Sequence, residues 1–135
     1  MEDLLTRARR AVLATIAPDG SPRLVPIAYA YLDGVIYSAL DEKPKRVADP
    51  HDLARVRDIT ERPQVSVLVD EWDEDWTKLA WRRLNGRASI LEPGDAEHPV
   101  AVRLLRERYP QYAEHRLEDR PVIRIAVERS VSWPS

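Results

Sequence analysis

Three cationic side chains are crowded together directly after an apolar run. Lys43, Lys45 and Arg46 lie within four positions of the segment SALDEKPKRVAD at 38–49, with a proline between the two lysines. Such close like charges repel one another unless water or a bound anion compensates them, and the proline restricts the backbone between them. A phosphate group accepts charge-assisted hydrogen bonds about twice as strong as neutral ones. The cluster therefore fits a phosphate site, or else a solvated loop whose cations are balanced by the two preceding acids.

Tryptophan is concentrated in one stretch of the chain. Trp72, Trp76 and Trp81 fall within ten residues. Each can bury a large ring while its indole N–H finds a hydrogen-bond partner. They predict either a wall that stacks on a bound ring or on a partner subunit, or packing without chemistry. Trp76 and Lys78 are the preferred members of a functional subset.

Other catalytic chemistries find little support. The chain has no cysteine, which excludes disulfides, a thiolate nucleophile and Cys-based metal sites. The acidic run DEWDEDW at 70–76 lacks the glycine and spacing of a calcium loop, so we expect a solvated turn. His51, His98 and His115 are far apart, and neither a zinc triad nor a Ser-His-Asp set emerges. We expect no metal and assign no catalytic residue.

The charge pattern argues against nucleic acid and membrane partners. The net charge is −2, from 23 acidic and 21 basic residues. Arg82, Arg83 and Arg87 lack the interleaved aromatic side chains of a nucleic-acid surface, and salt bridges are the simpler interpretation. The N-terminus has only a short apolar run before Pro18, unlike a signal peptide or a membrane span. A cytoplasmic protein is expected.

The elements that must position these residues are mainly strands. Apolar or alternating runs predict strands at 11–17, 21–34, 35–40, 64–72, 76–93 and 121–133. Asp19-Gly20 and Asp33-Gly34 are turn signals, so the first three strands are expected to form an antiparallel meander. Asn85-Gly86 marks a turn or a bulge within its segment.

Short helices separate the strands. Charge and apolar spacing predict helices at 2–10, 50–63 and 94–112, the last with Pro99 in its first turn. A chain of 135 residues fits one domain, 1–135. Because closing a sheet removes its exposed edges, six or so antiparallel strands with short helices predict a small, mainly β barrel.

The order of these segments resembles a known family. The first hairpin, PRLVPIAYAYLDGVIYSAL, the basic loop, RPQVSVLVD, the tryptophan strand, LLRERYPQY and VIRIAVERSVSW follow one another as in the split β-barrel family related to pyridoxamine 5′-phosphate oxidase. The resemblance covers about residues 7–133 and is closest to the short actinobacterial branch described as probable F420-dependent enzymes. It implies a six- to seven-stranded antiparallel split β-barrel, FMN-binding-like, with short helices.

The resemblance also implies a cofactor and where it binds. Such proteins are homodimers that hold a flavin or the deazaflavin F420 in a groove between subunits, with its phosphate on basic residues after the third strand. Its ring lies against the second and third strands. The residues that carry over are the phosphate candidates Lys43, Lys45 and Arg46, with Arg23 as an additional one, and the ring-side residues Val25, Pro26, Ser38 and Ala39.

Two departures from the family pattern narrow the expected activity. FMN-binding oxidases of the family usually have a lysine five residues after the arginine that opens the second strand, but Ala28 stands there. This weakens a conventional FMN phosphate site. The chain also ends at VSWPS, without the longer C-terminal segment that holds vitamin B6 compounds. Oxidation of vitamin B6 is therefore not expected.

These considerations predict an F420-dependent oxidoreductase that moves a hydride to or from an unidentified small conjugated substrate. Hydride transfer needs no triad and no metal, because the cofactor carries the chemistry. Water or a strand tyrosine, such as Tyr29 or Tyr37, could supply a proton. The alternatives are an FMN-dependent reductase or oxidase of the same fold, and a protein that binds a flavin or deazaflavin without turnover.

Overall fold

Seven antiparallel strands form one sheet in the order β2-β1-β5-β6-β7-β4-β3. The structure, a computed structural model, describes residues 3–40 and 49–134. Lys43, Lys45 and Arg46 lie outside the described residues. The strands are β1 (Ala11–Ile16), β2 (Pro22–Ile27), β3 (Ala30–Leu32), β4 (Val35–Ala39), β5 (Gln64–Glu71), β6 (Ala80–Leu91) and β7 (Val122–Trp133).

The sheet curls because its two edge strands are neighbours in the chain. β2 lies at one edge and β3 at the other, and only Ala28 and Tyr29 separate them. The chain therefore crosses from one edge to the other within two residues, which draws the edges together. The mainly β, antiparallel split barrel predicted from the sequence is confirmed.

The predicted single strand at 21–34, and with it the three-strand meander, is wrong. β2 pairs with β1, whereas β4 pairs with β3 and β7. The break has a side-chain cause: the Tyr109 hydroxyl accepts from the Tyr29 amide and donates to the Tyr29 carbonyl, both at 3.0 Å. One phenol thus satisfies both backbone groups that would otherwise bond in a strand ladder.

Apolar side chains are buried on both sides of the curled sheet. Inside, Val65, Val67 and Val69 of β5 alternate toward the barrel core, as the period of a strand requires. Outside, a second cluster forms where a helix packs against β3 and β4. β4 is consequently buried on both faces.

Three α-helices are present in the described part of the chain, each shorter than predicted. They are α1 (Leu4–Arg7), α2 (Ala54–Glu61) and α3 (His98–Arg108). Short 3-10 turns take up the remainder, Pro50–Asp52 before α2 and Pro110–Glu114 after α3. Pro99 lies in the first turn of α3, as predicted, where its missing N–H costs nothing. Among the described residues no helix has the length and apolar character to cross a bilayer.

A bulge, and not a turn, occurs at Asn85/Gly86. The register of β6 against β7 shifts between these residues, so that Asn85 faces Arg129 and Gly86 faces Val127. One residue of β7, Glu128, is left over. The predicted bulge is confirmed, and the long β6 continues through it.

Candidate functional site

Arg23 lies near the start of β2, within hydrogen-bonding distance of α2. Its Nε donates to Asp58 Oδ2 of α2 at 2.8 Å, and the Thr15 hydroxyl donates to the same oxygen at 2.8 Å. Burial by itself raises the pKa of Asp58, but the hydrogen bonds from Arg23 and Thr15 outweigh it and leave that pKa below its usual value. Arg23 therefore fastens β2 to α2, while its side chain stays 41% exposed.

The four predicted ring-side residues divide between the two faces of the sheet. Val25 packs against the barrel core, whereas the next residue, Pro26, is exposed on the outside. Ser38 is 2% exposed, and its hydroxyl donates to the Ala28 carbonyl at 2.9 Å. Ala39 packs into the outer cluster beneath α3. Their side chains do not form one wall, because adjacent strand residues point to opposite faces.

The outer face of β1, β2, β5, β6 and β7 carries exposed apolar side chains. Leu24 is 67% exposed, Leu68 40% and Trp133 46%. Cross-strand pairing places Val12, Leu68, Arg83 and Val131 in one continuous row on this face. We call it the outer apolar face.

A groove of about 520 Å³ opens at one end of the outer apolar face. Its lining includes Leu68, Asp70, Trp72, Trp81, Arg83 and Trp133. Of the predicted tryptophans, Trp72 and Trp81 thus meet in it, joined by Trp133, which the sequence reasoning missed. The strand alternation of β7, extended to its last residue, is the signal that could have found it.

Trp76 and Lys78 are close in sequence to residues that line this groove, but they do not line it themselves. They occupy a 3-10 turn, Trp76–Lys78, in which Asp75 accepts hydrogen bonds from the Thr77 amide and hydroxyl. Trp76 is 68% exposed. The acidic run before this turn is used for local capping, and the described residues contain no group of three or more acids or histidines arranged to hold a metal ion.

A second groove, of about 430 Å³, lies at the bend between β2 and β3. Its lining includes Arg9, Arg10, Pro26, Tyr109, Gln111 and His115. These residues come from the segment before β1, from β2 and from the end of α3 onward. The sequence reasoning found Pro26 and missed the two arginines, because no local pattern links segments about a hundred positions apart. We call it the bend groove.

The two strand tyrosines have hydroxyl groups that are already engaged. Tyr29 donates to the Leu5 carbonyl at 2.6 Å, and Tyr37 donates to Glu97. Burial raises the pKa of each hydroxyl to about 12. Both therefore stay protonated at neutral pH and serve the packing of the barrel.

The predicted salt bridges of the β6 arginines are present in part. Arg82 pairs with Asp3 at 2.9 Å, while the Arg83 guanidinium lies over the Trp81 ring at 5.7 Å. Arg83 thus covers one face of an indole inside the 520 Å³ groove. Arg83 therefore does not form a continuous row of cations with the other arginines of β6.

His51 is held between two carboxylates. Its Nδ1 lies 2.8 Å from Asp49 Oδ1 and its Nε2 lies 2.9 Å from Glu92 Oε2. The hydrogen bonds to Asp49 and then to Glu92 raise the pKa of His51 above the usual 6.5. The contact joins the segment before α2 to the residue after β6.

We expect the His51 ring to titrate above pH 6.5, and Glu92→Gln to lower its midpoint. The raised pKa means that this contact stabilises the fold below about pH 6.5 and that the contribution is lost as the pH rises through the folded-state value. The side chain is 45% exposed, so solvent screening keeps the effect on stability small. An NMR titration of the ring protons measures the midpoint. A wild-type midpoint at or below 6.5 would contradict the doubly paired geometry.

The sequence matches a family model over residues 1–133, and that model describes pyridoxamine 5′-phosphate oxidase. No curated protein sequence matches the chain.

Solved structures share the fold. A conserved hypothetical protein from Mycobacterium tuberculosis is 28% identical with a TM-score of 0.76, over 97% of this chain and 80% of that one. A FAD-binding protein from Mesorhizobium loti is 25% identical with a TM-score of 0.66, over 96% and 88%. An F420 reductase is similar in fold, with 21% identity, a TM-score of 0.67 and coverage of 95% and 93%.

Proposed function

The chain belongs to the pyridoxamine 5′-phosphate oxidase family, and we propose that it is an oxidoreductase that uses the deazaflavin F420 to move a hydride to or from a small conjugated substrate. The proposal includes a homodimer with the cofactor in a groove between the two copies. Family membership supplies the flavin-type oxidoreductase fold. The choice of cofactor, the dimer and the site residues are the parts proposed here.

The observation that carries the proposal is the outer apolar face. Leu24, Leu68 and Trp133 are large exposed apolar side chains on β2, β5 and β7, which alternate with β1 and β6 in the sheet. Contiguous apolar surface of this kind marks an interaction site in a folded protein. A second copy of the chain covers it in the proposed dimer, and the 520 Å³ groove at its end is then closed off from water by the partner.

The described residues fit a planar ring with an anionic tail. Trp72, Trp81 and Trp133 provide aromatic surface in one groove, and indoles stack favourably on planar groups. Arg23 of β2 is a partly exposed cation, and Lys43 and Lys45 are the other cations proposed for the anionic tail. Ala28 replaces the lysine typical of FMN-binding relatives and its carbonyl is held by Ser38, which favours F420 over FMN.

The protein's contribution is to bind and orient the cofactor, which supplies the hydride chemistry when bound. Lys45, with Lys43 and Arg46, holds the phosphate after β4. Arg23 adds a cation whose position is fixed by Asp58. The exposed face of Pro26 supports the ring on β2, while buried Ser38 fixes the β2–β3 bend behind it. The engaged hydroxyls of the strand tyrosines leave water as the simplest source of any proton.

Two readings compete with this one. An FMN-dependent enzyme of the same family would use the same fold, and the replacement of lysine by Ala28 argues against it. A protein that binds a flavin or deazaflavin without turnover would have the same groove, and it differs only in the absence of a reaction with any acceptor.

Titration of the purified protein with F420 and, separately, with FMN tests the proposal. Trp72 and Trp81 line the groove, so we expect F420 to quench tryptophan fluorescence with submicromolar affinity and FMN to bind more weakly. Tight binding of FMN with none of F420 would reverse the cofactor assignment. Binding without reduction of any acceptor in a substrate screen would favour the non-catalytic alternative.

The dimer is tested on the same material by size-exclusion chromatography with light scattering at micromolar concentration. We expect twice the chain mass. A monomer would contradict the shared groove, because part of each site would then be missing.

A further inference from the structure

The bend groove is a cationic cavity, and Pro26 is the one described residue of its lining that the proposed cofactor contacts include. At about 430 Å³ it falls within the size range of small-molecule sites. Its lining includes Arg9 and Arg10 together with Tyr109, Gln111 and His115. Among the described residues that line it there is no acidic side chain.

The lack of acids sets this groove apart from several other arginine-containing parts of the described chain, where the arginines pair with carboxylates. Arg7 pairs with Glu71 and Arg124 with Glu97, at 2.9 and 2.8 Å. In the described ranges, by contrast, no carboxylate forms an ion pair with Arg9 or with Arg10. Two uncompensated cations at the mouth of a concave site attract an anion.

The arginines differ in how firmly they are held. Arg9 lies over the Tyr109 ring at 4.8 Å and donates to the Arg108 carbonyl at 2.7 Å. Arg108 itself lies over the Tyr29 ring at 4.8 Å and donates to carbonyls of the first helix. Arg9 is thus fixed in place, while Arg10 is exposed and adjacent. A fixed guanidinium beside an adjustable one suits a carboxylate, which accepts two parallel hydrogen bonds.

The remaining lining is apolar or aromatic. Pro26, Ile27, Ala28 and Tyr112 complete the lining of the groove. A ligand that matches both the arginines and the apolar lining has a planar apolar body and one carboxylate. Pro26 is also the exposed residue of β2 that we assign to the cofactor ring, so a ligand in this groove lies next to that ring.

We propose that the bend groove binds the carboxylate of the substrate, which makes the substrate a small planar organic acid. The inference rests on the proposed function for the meaning of "substrate". The anion site itself stands on Arg9, Arg10 and the aromatic lining.

Benzoate is the probe, and benzamide, its neutral analogue, is the comparison. Two-dimensional NMR of the labelled protein follows each titration. We expect benzoate to shift the amide signals of Ala28 and Gln111 and benzamide to shift them far less. Arg10→Gln should weaken benzoate binding about tenfold or more, because a charged hydrogen bond is lost. Arg10→Lys should recover part of it. Arg87→Gln, which removes an exposed cation of β6 outside this groove, should leave it unchanged.

Other results would overturn the inference. Equal binding of benzoate and benzamide, or no effect of Arg10→Gln, would show that the groove does not select a carboxylate. A loss of F420 affinity in Arg10→Gln as large as the loss for benzoate would assign the cation to the cofactor's own anionic end. Failure of wild-type protein to bind any flavin or deazaflavin, with benzoate binding intact, would instead overturn the proposed function and leave the anion site standing.

Discussion

Replacing Lys43 and Lys45 together with alanine is expected to weaken cofactor binding about a hundredfold or more. Each lysine donates a charged hydrogen bond to the phosphate in the proposed complex, and such bonds contribute roughly 1.5–3 kcal/mol each. The loss of two such bonds corresponds to a rise of about a hundredfold or more in Kd. The same fluorescence titration used for the wild type measures the change.

The melting temperature of the cofactor-free variant should stay within a degree or two of that of the wild type if the two lysines serve the cofactor and not the fold. Three cations within four positions repel one another in the absence of an anion, so we do not expect the removal of two of them to destabilise the cofactor-free protein. Arg103→Ala is a suitable control, because it removes an exposed cation of α3 with a side chain 59% exposed. If the lysine variant melts much lower, or binds the cofactor as well as the control does, the segment is not the phosphate site.

The strand content of the fold was predictable because the alternation is strong. Val65, Val67 and Val69 fall on one face of the sequence pattern and of the observed strand. The path of the chain at Tyr29 was not predictable in the same way. Its backbone partner is the hydroxyl of a residue 80 positions later, Tyr109. A local pattern holds no information about such a contact.

The candidate site shows the same division. The sequence placed the basic cluster after an apolar strand, and β4 does end at Ala39, just before it. Sequence alone could not show that Asp58 of α2 would accept a hydrogen bond from Arg23. It also could not bring Arg9 and Tyr109 together at the bend groove, since the two residues are 100 positions apart in the sequence.

Gly86 is the position at which the smallest substitution should have the largest effect on the fold. A Cβ added there would lie 2.3 Å from the Ala126 carbonyl oxygen and 3.1 Å from Ile125 Cγ2. The first of these is a backbone atom of β7, so the clash cannot be relieved by a side-chain rotation. The bulge therefore requires glycine because β6 and β7 approach too closely for a side chain.

Gly86→Ala is expected to lower the free energy of unfolding by about 3 kcal/mol or more, at the upper end of what overpacking costs. For a chain of this size that corresponds to a fall of roughly 10 °C in the melting temperature. Urea unfolding followed by tryptophan fluorescence measures the first quantity and a thermal melt the second. If the variant does not accumulate as folded protein, its amount in the soluble fraction relative to the control serves as the readout.

Gly94→Ala is the matched control, because a Cβ at Gly94 meets no atom within 4 Å. The two variants make the same chemical change, so a difference between them isolates the contact with β7. β6 and β7 also carry Trp81, Arg83 and Trp133 into the 520 Å³ groove, and strain at the bulge should loosen that groove as well. A folded Gly86→Ala protein should accordingly bind F420 more weakly than Gly94→Ala. Equal stability of the two variants would mean that β7 can move away from β6 at little cost, and the bulge would then not fix the positions of these groove residues.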